Sequence, residues 1–333
     1  MKRQYKRRCK ACGRTLQKNG KENNKQRWRC PSCGTSRIHQ RPDLSGNWLL
    51  LEFRRYLLGF TSLKDLSKAQ GITIQSLVKR FEPCWDFIPK PALSGEVLNY
   101  IVIDAKRVNN LVVAIIMNTG AVVNWVWGVS ETSAIWLEVL NTIPEPLAVV
   151  TDGQRGILKA LDHLWPNIAI QRCHFHIKRN IRAKLTNNPE SPAGQDLKWL
   201  MSYLCKARYE NDALWFVGTF YSLYDTHLSF INERTINHNP LVKRKWWYTH
   251  GRVRSAYKQI ANLVEQDQLF AYITHPRLNL PNTTNMLEGG INSRLDELLL
   301  RHRGLTQVHQ QRLVDWYLIS RTKWRGDYTK KFN

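Results

Sequence analysis

Residues 98–127 read LNYIVIDAKRVNNLVVAIIMNTGAVVNWVW, three short apolar runs separated by polar turns. The runs at 98–104, 111–117 and 122–127 have the length and β-branched content of strands. The Asn118-Thr119-Gly120 turn between the last two predicts antiparallel pairing. Residues 132–142 then read as a helix, and LAVVTD at 147–152 as another strand. A helix over about 154–164, a strand at 168–172 and a helix from about 174 complete the order β-β-β-α-β-α-β-α. Three antiparallel strands followed by alternating α and β units predict a mixed sheet with helices on both faces. Sites in such sheets form beyond the strand ends. Asp104 and Asp152 each stand at the predicted end of a strand, side by side if those strands are neighbours.

Outward from this core, residues 187–196 (NNPESPAGQD) read as a loop, and the pattern is helical and aromatic-rich to about 273. The expectation is an all-helical insertion over 187–279 that returns the chain to the sheet at PNTTNMLEGGINSRLDELLLRHRG, residues 281–304. Glu288 lies there as a third carboxylate, and Asn285 with Glu288 also fits a helix-capping pair. The catalytic core is therefore expected over 96–186 and 280–325. On the N-terminal side, residues 47–82 show helical periodicity broken at Gly59 and at Gly71-Ile72-Thr73, with Thr73 placed to cap a third helix. Helix, turn, helix over 42–90 is the pattern of a DNA-binding helix-turn-helix, with Lys79 and Arg80 on its last helix.

Residues 1–41 carry Cys9-x2-Cys12 and Cys30-x2-Cys33 around a basic loop. Two such turns present four thiolates to one tetrahedral Zn²⁺, so a zinc ribbon is expected, with the metal supplying most of the folding energy of so small a module. Gly13 and Gly34 each follow a pair, where a tight knuckle needs positive φ. The net charge of +24 fits the same picture. Residues 1–41 hold fourteen Lys/Arg against Glu22 alone, a net +13. That concentration points to nucleic acid rather than a membrane, since no basic amphipathic helix and no apolar run of about 20 residues accompanies it. With no secretory signal, the expected location is the cytoplasm of a bacterium, on the nucleoid.

Three carboxylates from distant parts of a chain suit two Mg²⁺ ions, which need hard oxygen ligands and leave room for water and phosphate. Here the residues become specific enough to name a family. The chain resembles bacterial insertion-sequence DDE transposases of the Mutator-like superfamily, which have a ribonuclease H-like core. Asp104 in VIDAKR matches the first acidic position, Asp152-Gly153 in VVTDGQRG the second and Glu288 in NTTNMLEGGINSRL the third. Cys173-His174-Phe175-His176 in QRCHFHIKRN matches the family's Cys-x2-His element. The resemblance covers about 98–325.

It implies a DNA transposase that binds terminal inverted repeats, cleaves 3′ ends with Mg²⁺ (or Mn²⁺) and joins them to target DNA, working as a homodimer or larger assembly. Cys173, His176 and Arg179 would then support the active site. Lys243, Arg244, Lys245, Trp246 and Trp247 suit phosphate contact with base stacking, and Arg301 and Arg303 suit backbone contact. A domesticated DNA-binding regulator without catalysis and a metal-dependent junction nuclease are the alternative readings.

Overall fold

The computed structural model describes residues 8–9, 12–22, 25–38, 46–238, 241 and 243–323. The chain divides into two compact units, one within residues 1–89 and one beginning at Lys90. Among the described residues, no helix is long and apolar enough to cross a membrane.

The first unit opens with a three-stranded antiparallel sheet of β1 (Gln17–Glu22), β2 (Lys25–Arg29) and β3 (Ser36–Ile38). Its tiny core is Cys9, Leu16 and Cys30 with Trp28 against it, too little apolar surface to hold a fold by burial alone. The two cysteine turns repeat one hydrogen-bond pattern. Cys9 N–H donates to Arg14 O (2.6 Å) and Gly13 N–H to Cys9 O (2.9 Å), while Cys30 N–H donates to Thr35 O (2.9 Å) and Gly34 N–H to Cys30 O (3.0 Å). Both glycines sit at φ 71°, in the left-handed region the turn requires.

Three helices follow: α1 (Gly46–Leu58), α2 (Leu63–Gln70) and α3 (Ile74–Asp86). Ser62 and Asp65 form a capping box that starts α2, and the Thr73 side chain accepts from Ser76 N–H to start α3. Phe53 of α1 meets Phe81 and Trp85 of α3 edge to face, at 5.3 and 4.9 Å between centroids. Those rings, with Leu57, Leu66 and Leu77, are buried and lock the three helices into one module. Pro83 lies inside α3, and the helix runs past it to Asp86.

In the second unit the sheet contains β4 (Ile101–Val108), β5 (Leu111–Asn118), β6 (Ala121–Gly128), β7 (Ala148–Thr151) and β8 (Ala169–Arg172), in the order β6-β5-β4-β7-β8. The first three are antiparallel and the last two run parallel to β4. Helices α4 (Ser133–Leu140), α5 (Arg155–Leu164) and α6 (His174–Leu185) alternate with them, so the element order is the expected one. Trp136, Val139, Leu140, Ile157, Ala160 and Leu161 of α4 and α5 cover one sheet face. The central strands are buried nearly throughout, as strands covered on both sides must be.

The next segment holds α7 (Pro192–Met201), α8 (Glu210–Thr226), α9 (Leu228–Asn232), the hairpin β9 (Arg234–Ile236) with β10 (Trp246–Tyr248), then α10 (Gly251–Glu265) and α11 (Ala271–Thr274). The expectation of an all-helical insertion is therefore corrected. Trp246 and Trp247 alternate along a strand, and ring stacking stabilises that hairpin: the Arg234 guanidinium lies 4.2 Å from the Trp246 ring and Arg254 lies 3.7 Å from Tyr248. Nor is the insertion a separate body. Ile177, Ile181 and Leu185 of α6 share one core with Leu197, Leu200, Phe216, Phe220 and Tyr257. The chain ends its described course with α12 (Asn285–Leu287), a π-helical turn over Glu288–Asn292, α13 (Ser293–Arg301) and α14 (Gln307–Ser320).

Candidate active site

β4 and β7 pair in parallel with Ile103 opposite Thr151, so the next residues, Asp104 and Asp152, are neighbours across the two strands. One expectation changes here. Asp104 is not at a strand end: β4 continues to Val108, paired with β5 from Val102 onward. It is β7 that stops, leaving Asp104 at the lip of the gap beyond it.

Asp104 is only 7% exposed. Its carboxyl is pushed up to about 7, first by burial and then by the charge of Asp152, with Glu288 adding to the repulsion. Ala105 N–H donates to Asp104 Oδ1 at 2.9 Å, and Asn292 Nδ2 lies 3.5 Å from Oδ2. Asp152 accepts from Gln154 N–H at 2.9 Å through Oδ1.

Gly153 explains the Asp-Gly pair. At φ 74° it lies under the Arg172 guanidinium, where any Cβ would overlap that group. Arg172 Nη2 donates to the Asp152 and Gly153 carbonyls at 3.0 and 3.2 Å, holding the loop that carries Asp152.

Glu288 arrives by a different route. Thr284, not Asn285, stands before α12, and it makes no side-chain cap. The Glu288 carboxylate is therefore free of the capping role and instead meets His176: Oε1 lies 3.1 Å from His176 Nε2. Glu288 opens the π-helical turn, whose extra residue per turn redirects the side chains that follow and is a feature of functional sites. Lys106 of β4 pairs with Asp296 of α13 at 2.6 Å and ties this segment to the central strand.

The Cys-x2-His element ties the sheet to the segment that carries Glu288. Cys173 N–H donates to Thr151 O at 2.8 Å, next to Asp152. Its buried Sγ accepts from the N–H and Oγ1 of Thr284, both at 3.3 Å. Burial opposes ionisation of the thiol, but hydrogen bonding from His176 and Thr284 outweighs it and lowers Cys173 below the ordinary range. His176 is raised, first by its bond to Cys173, with Glu288 and Asp152 contributing. His174 has a different task. It is buried, pushed down to about 4 by desolvation, and its Nε2 sits 2.7 Å from Leu269 O, so the neutral ring donates to the returning chain.

The predicted carboxylates thus share one site, although their oxygens do not form a single tight cage. Among the described residues, the group whose ligand atoms all lie within 4.8 Å of one another is Cys9, Cys12, Cys30 and Cys33. That spacing suits one tetrahedral ion with metal–sulfur bonds of about 2.3 Å. Hydrogen bonds involving Thr35 lower the Cys33 thiol to about 6, while bonds from Cys30 and Cys33 push its neighbour Cys12 up, so the clustered thiols share their protons.

Arg179 lies exposed on α6 and Lys79 exposed on α3, with Arg80 half-buried. Lys243, Arg244 and Lys245 are exposed beside the β9–β10 hairpin, remote in sequence from the carboxylates. Arg301 pairs with Glu297 at 2.7 Å, while Arg303 is exposed.

Sequence reading missed four residues at the site. Arg172 sits just before the Cys-x2-His element, and Asn292 lies four residues after Glu288. Thr284 holds Cys173. Glu131, at the start of α4, is a half-buried carboxylate raised by burial and then by the charge of Asp152. Only proximity in three dimensions singles out Glu131; its local sequence, Ser-Glu-Thr-Ser, reads as a helix start.

Residues 90–180, the span holding both aspartates and the Cys-x2-His element, match the MULE transposase domain. The chain is also similar to the transposase for insertion sequence element IST2 of Acidithiobacillus ferrooxidans, 35% identical over 72 residues. That match spans 20% of this chain and 24% of the relative. Glu288 lies outside the matched span and meets it through His176.

Proposed function

We propose that this chain is a DNA transposase of the Mutator-like insertion-sequence type, with a ribonuclease H-like core in which Asp104, Asp152 and Glu288 are the catalytic carboxylates. The observation that carries the reading is Asp104. A carboxylate buried beside a second and third carboxylate, unpaired by any lysine or arginine among the described residues, is held at an electrostatic cost that a divalent cation relieves. The donor set is hard oxygen throughout, which fits Mg²⁺ or Mn²⁺. When bound there, such ions supply an activated hydroxyl nucleophile and charge neutralisation for phosphoryl transfer.

The chain's own residues do the rest. Asp104 and Asp152 set the ligand pair from adjacent strands, and Arg172 holds the Asp152 loop still. His176 orients Glu288 through its Nε2, and Cys173 and Thr284 hold His176 and the Glu288 segment together. His176, raised first by its bond to Cys173, stands beside the carboxylates and fixes Glu288 against the sheet. The zinc ribbon and the helix-turn-helix suit binding of the terminal inverted repeats, with Lys79 and Arg80 as phosphate contacts. The joining step attaches a 3′-hydroxyl to target DNA by transesterification, and holding two ends calls for at least a dimer.

The test is incubation of the protein with labelled terminal-repeat DNA, Mg²⁺ and a target plasmid. Joined products support the transposase. Cutting without joining indicates a nuclease, and binding without cutting a regulator; either outcome overturns the proposal.

A further inference from the structure

A cavity of about 580 Å³ opens between α6, α7 and the segment leading into α12. Its volume lies within the roughly 300–1,000 Å³ of small-molecule sites. The floor is apolar, formed by Ile181, Leu185 and Met201, with Cys205 beside them. Phe175, Lys178, Arg179 and Arg182 stand on one face of α6, at spacings of three, four and seven residues. Among the described residues, no carboxylate lines the cavity or pairs with any of these three cations.

Phe175 is 47% exposed although it is a large apolar ring, and its edge meets the His176 ring at 5.9 Å between centroids. Through His176 the cavity wall is therefore one residue from Glu288. Thr283 and Asn285, on its opposite rim, flank the threonine that holds Cys173.

An aromatic ring presented to solvent, an apolar bowl behind it and three unpaired cations alongside form the pattern of a nucleotide site. Bases stack on such rings, and phosphates take such cations. We infer that this cavity receives one unpaired nucleotide of the DNA strand whose phosphate occupies the carboxylate site, its base against Phe175 and its flanking phosphates on Lys178 and Arg182. The inference rests on the DNA reading above and adds a base-binding site to it. It also moves the stacking role away from Trp246, whose ring Arg234 already covers.

The experiment uses the full chain with two fluorescein-labelled probes of equal charge: an eight-nucleotide dT strand and an eight-unit abasic strand. The basic N-terminus attracts both equally, so the difference between them reports base recognition. The dT strand should bind about tenfold more tightly, within the range of stacking one base. Phe175→Ala should erase that preference and leave the abasic affinity unchanged, and Ser202→Trp, which fills the cavity from its rim, should do the same. Lys178→Gln with Arg182→Gln should weaken both probes. A strand carrying 5-iodouracil should photocrosslink within residues 175–205.

Equal affinity for the two probes, a preference that survives Phe175→Ala, or crosslinking confined to Trp246, Trp247 or residues 1–89 would each overturn the inference. The two readings fail separately. A chain that joins DNA ends but crosslinks elsewhere keeps its function and loses this pocket, whereas one that crosslinks at Phe175 and never cuts DNA does the reverse.

Discussion

At the scale of single residues, Asp104 concentrates the tension in the site. Its folded-state carboxyl titrates near 7 rather than near 4 because burial and Asp152 disfavour the charge. The sign follows from linkage. A raised carboxyl binds its proton more tightly when folded, so its contribution is fully present below about pH 4 and fades as pH rises through about 7, at up to about 1.4 kcal/mol per pH unit. Asp104→Asn should therefore flatten the fall in stability between about pH 4 and 7, measured by urea unfolding without added divalent metal, while strand transfer drops at least a thousandfold. A mutant with the wild-type pH slope would remove Asp104 as the source. Gly153→Ala tests the neighbouring loop. With Arg172 displaced, cleavage should fall at least tenfold while far-ultraviolet circular dichroism stays unchanged. Both aspartates were legible in the sequence because each follows an apolar strand run. Glu131 and Arg172 were not, because their roles depend on which strand tops lie beside them.

At the scale of elements, the third carboxylate depends on how α12, the π-helical turn and α14 are docked. Asp315 of α14 is buried, and its Oδ1 accepts from both Trp125 Nε1 and Trp127 Nε1 at 2.8 Å, while Arg312 pairs with Oδ2 at 2.7 Å. Asp315→Ala removes the acceptor shared by the two indoles and the carboxylate that faces Arg312. The expected cost is about 3–5 kcal/mol, read as a lowered urea midpoint of the domain beginning at Lys90. A cost below about 1 kcal/mol would show that the hydrophobic face of α14 docks it alone. The β-β-β-α-β-α-β-α order could be read from periodicity and turn residues. The β9–β10 hairpin could not, because its strands are three residues each and cation–π packing rather than alternation holds them. The π-helical turn was equally hidden: Glu-Gly-Gly-Ile-Asn reads as a weak helix, and the contacts on either side of it, Glu288 with His176 and Asp296 with Lys106, join segments far apart in the chain.

At the scale of the whole molecule, the two units have their own cores and call for separate tests. The cysteine module has almost no apolar core, so zinc should hold it together. Chelation should speed tryptic cleavage within residues 8–38 at least tenfold, with cleavage after residue 90 unchanged. Removing residues 1–41 should flatten the dependence of log K on log salt by about 0.9 for every DNA phosphate those residues neutralise. An unchanged slope would place the phosphate-binding surface elsewhere. By itself, the sequence determined the paired-cysteine turns, the capped helix start at Thr73 and the order of elements in the core, and it marked Asp104 and Asp152 as candidates. Each depends on residues close together in the chain, where spacing, turn chemistry and capping act. Only the tertiary structure decided that β4 runs past Asp104 while β7 stops, that Glu288 turns to His176 instead of capping a helix, and that α6 carries one face of the insertion's core. Those outcomes come from burial and charge shared between segments far apart in the chain, and no local pattern encodes them.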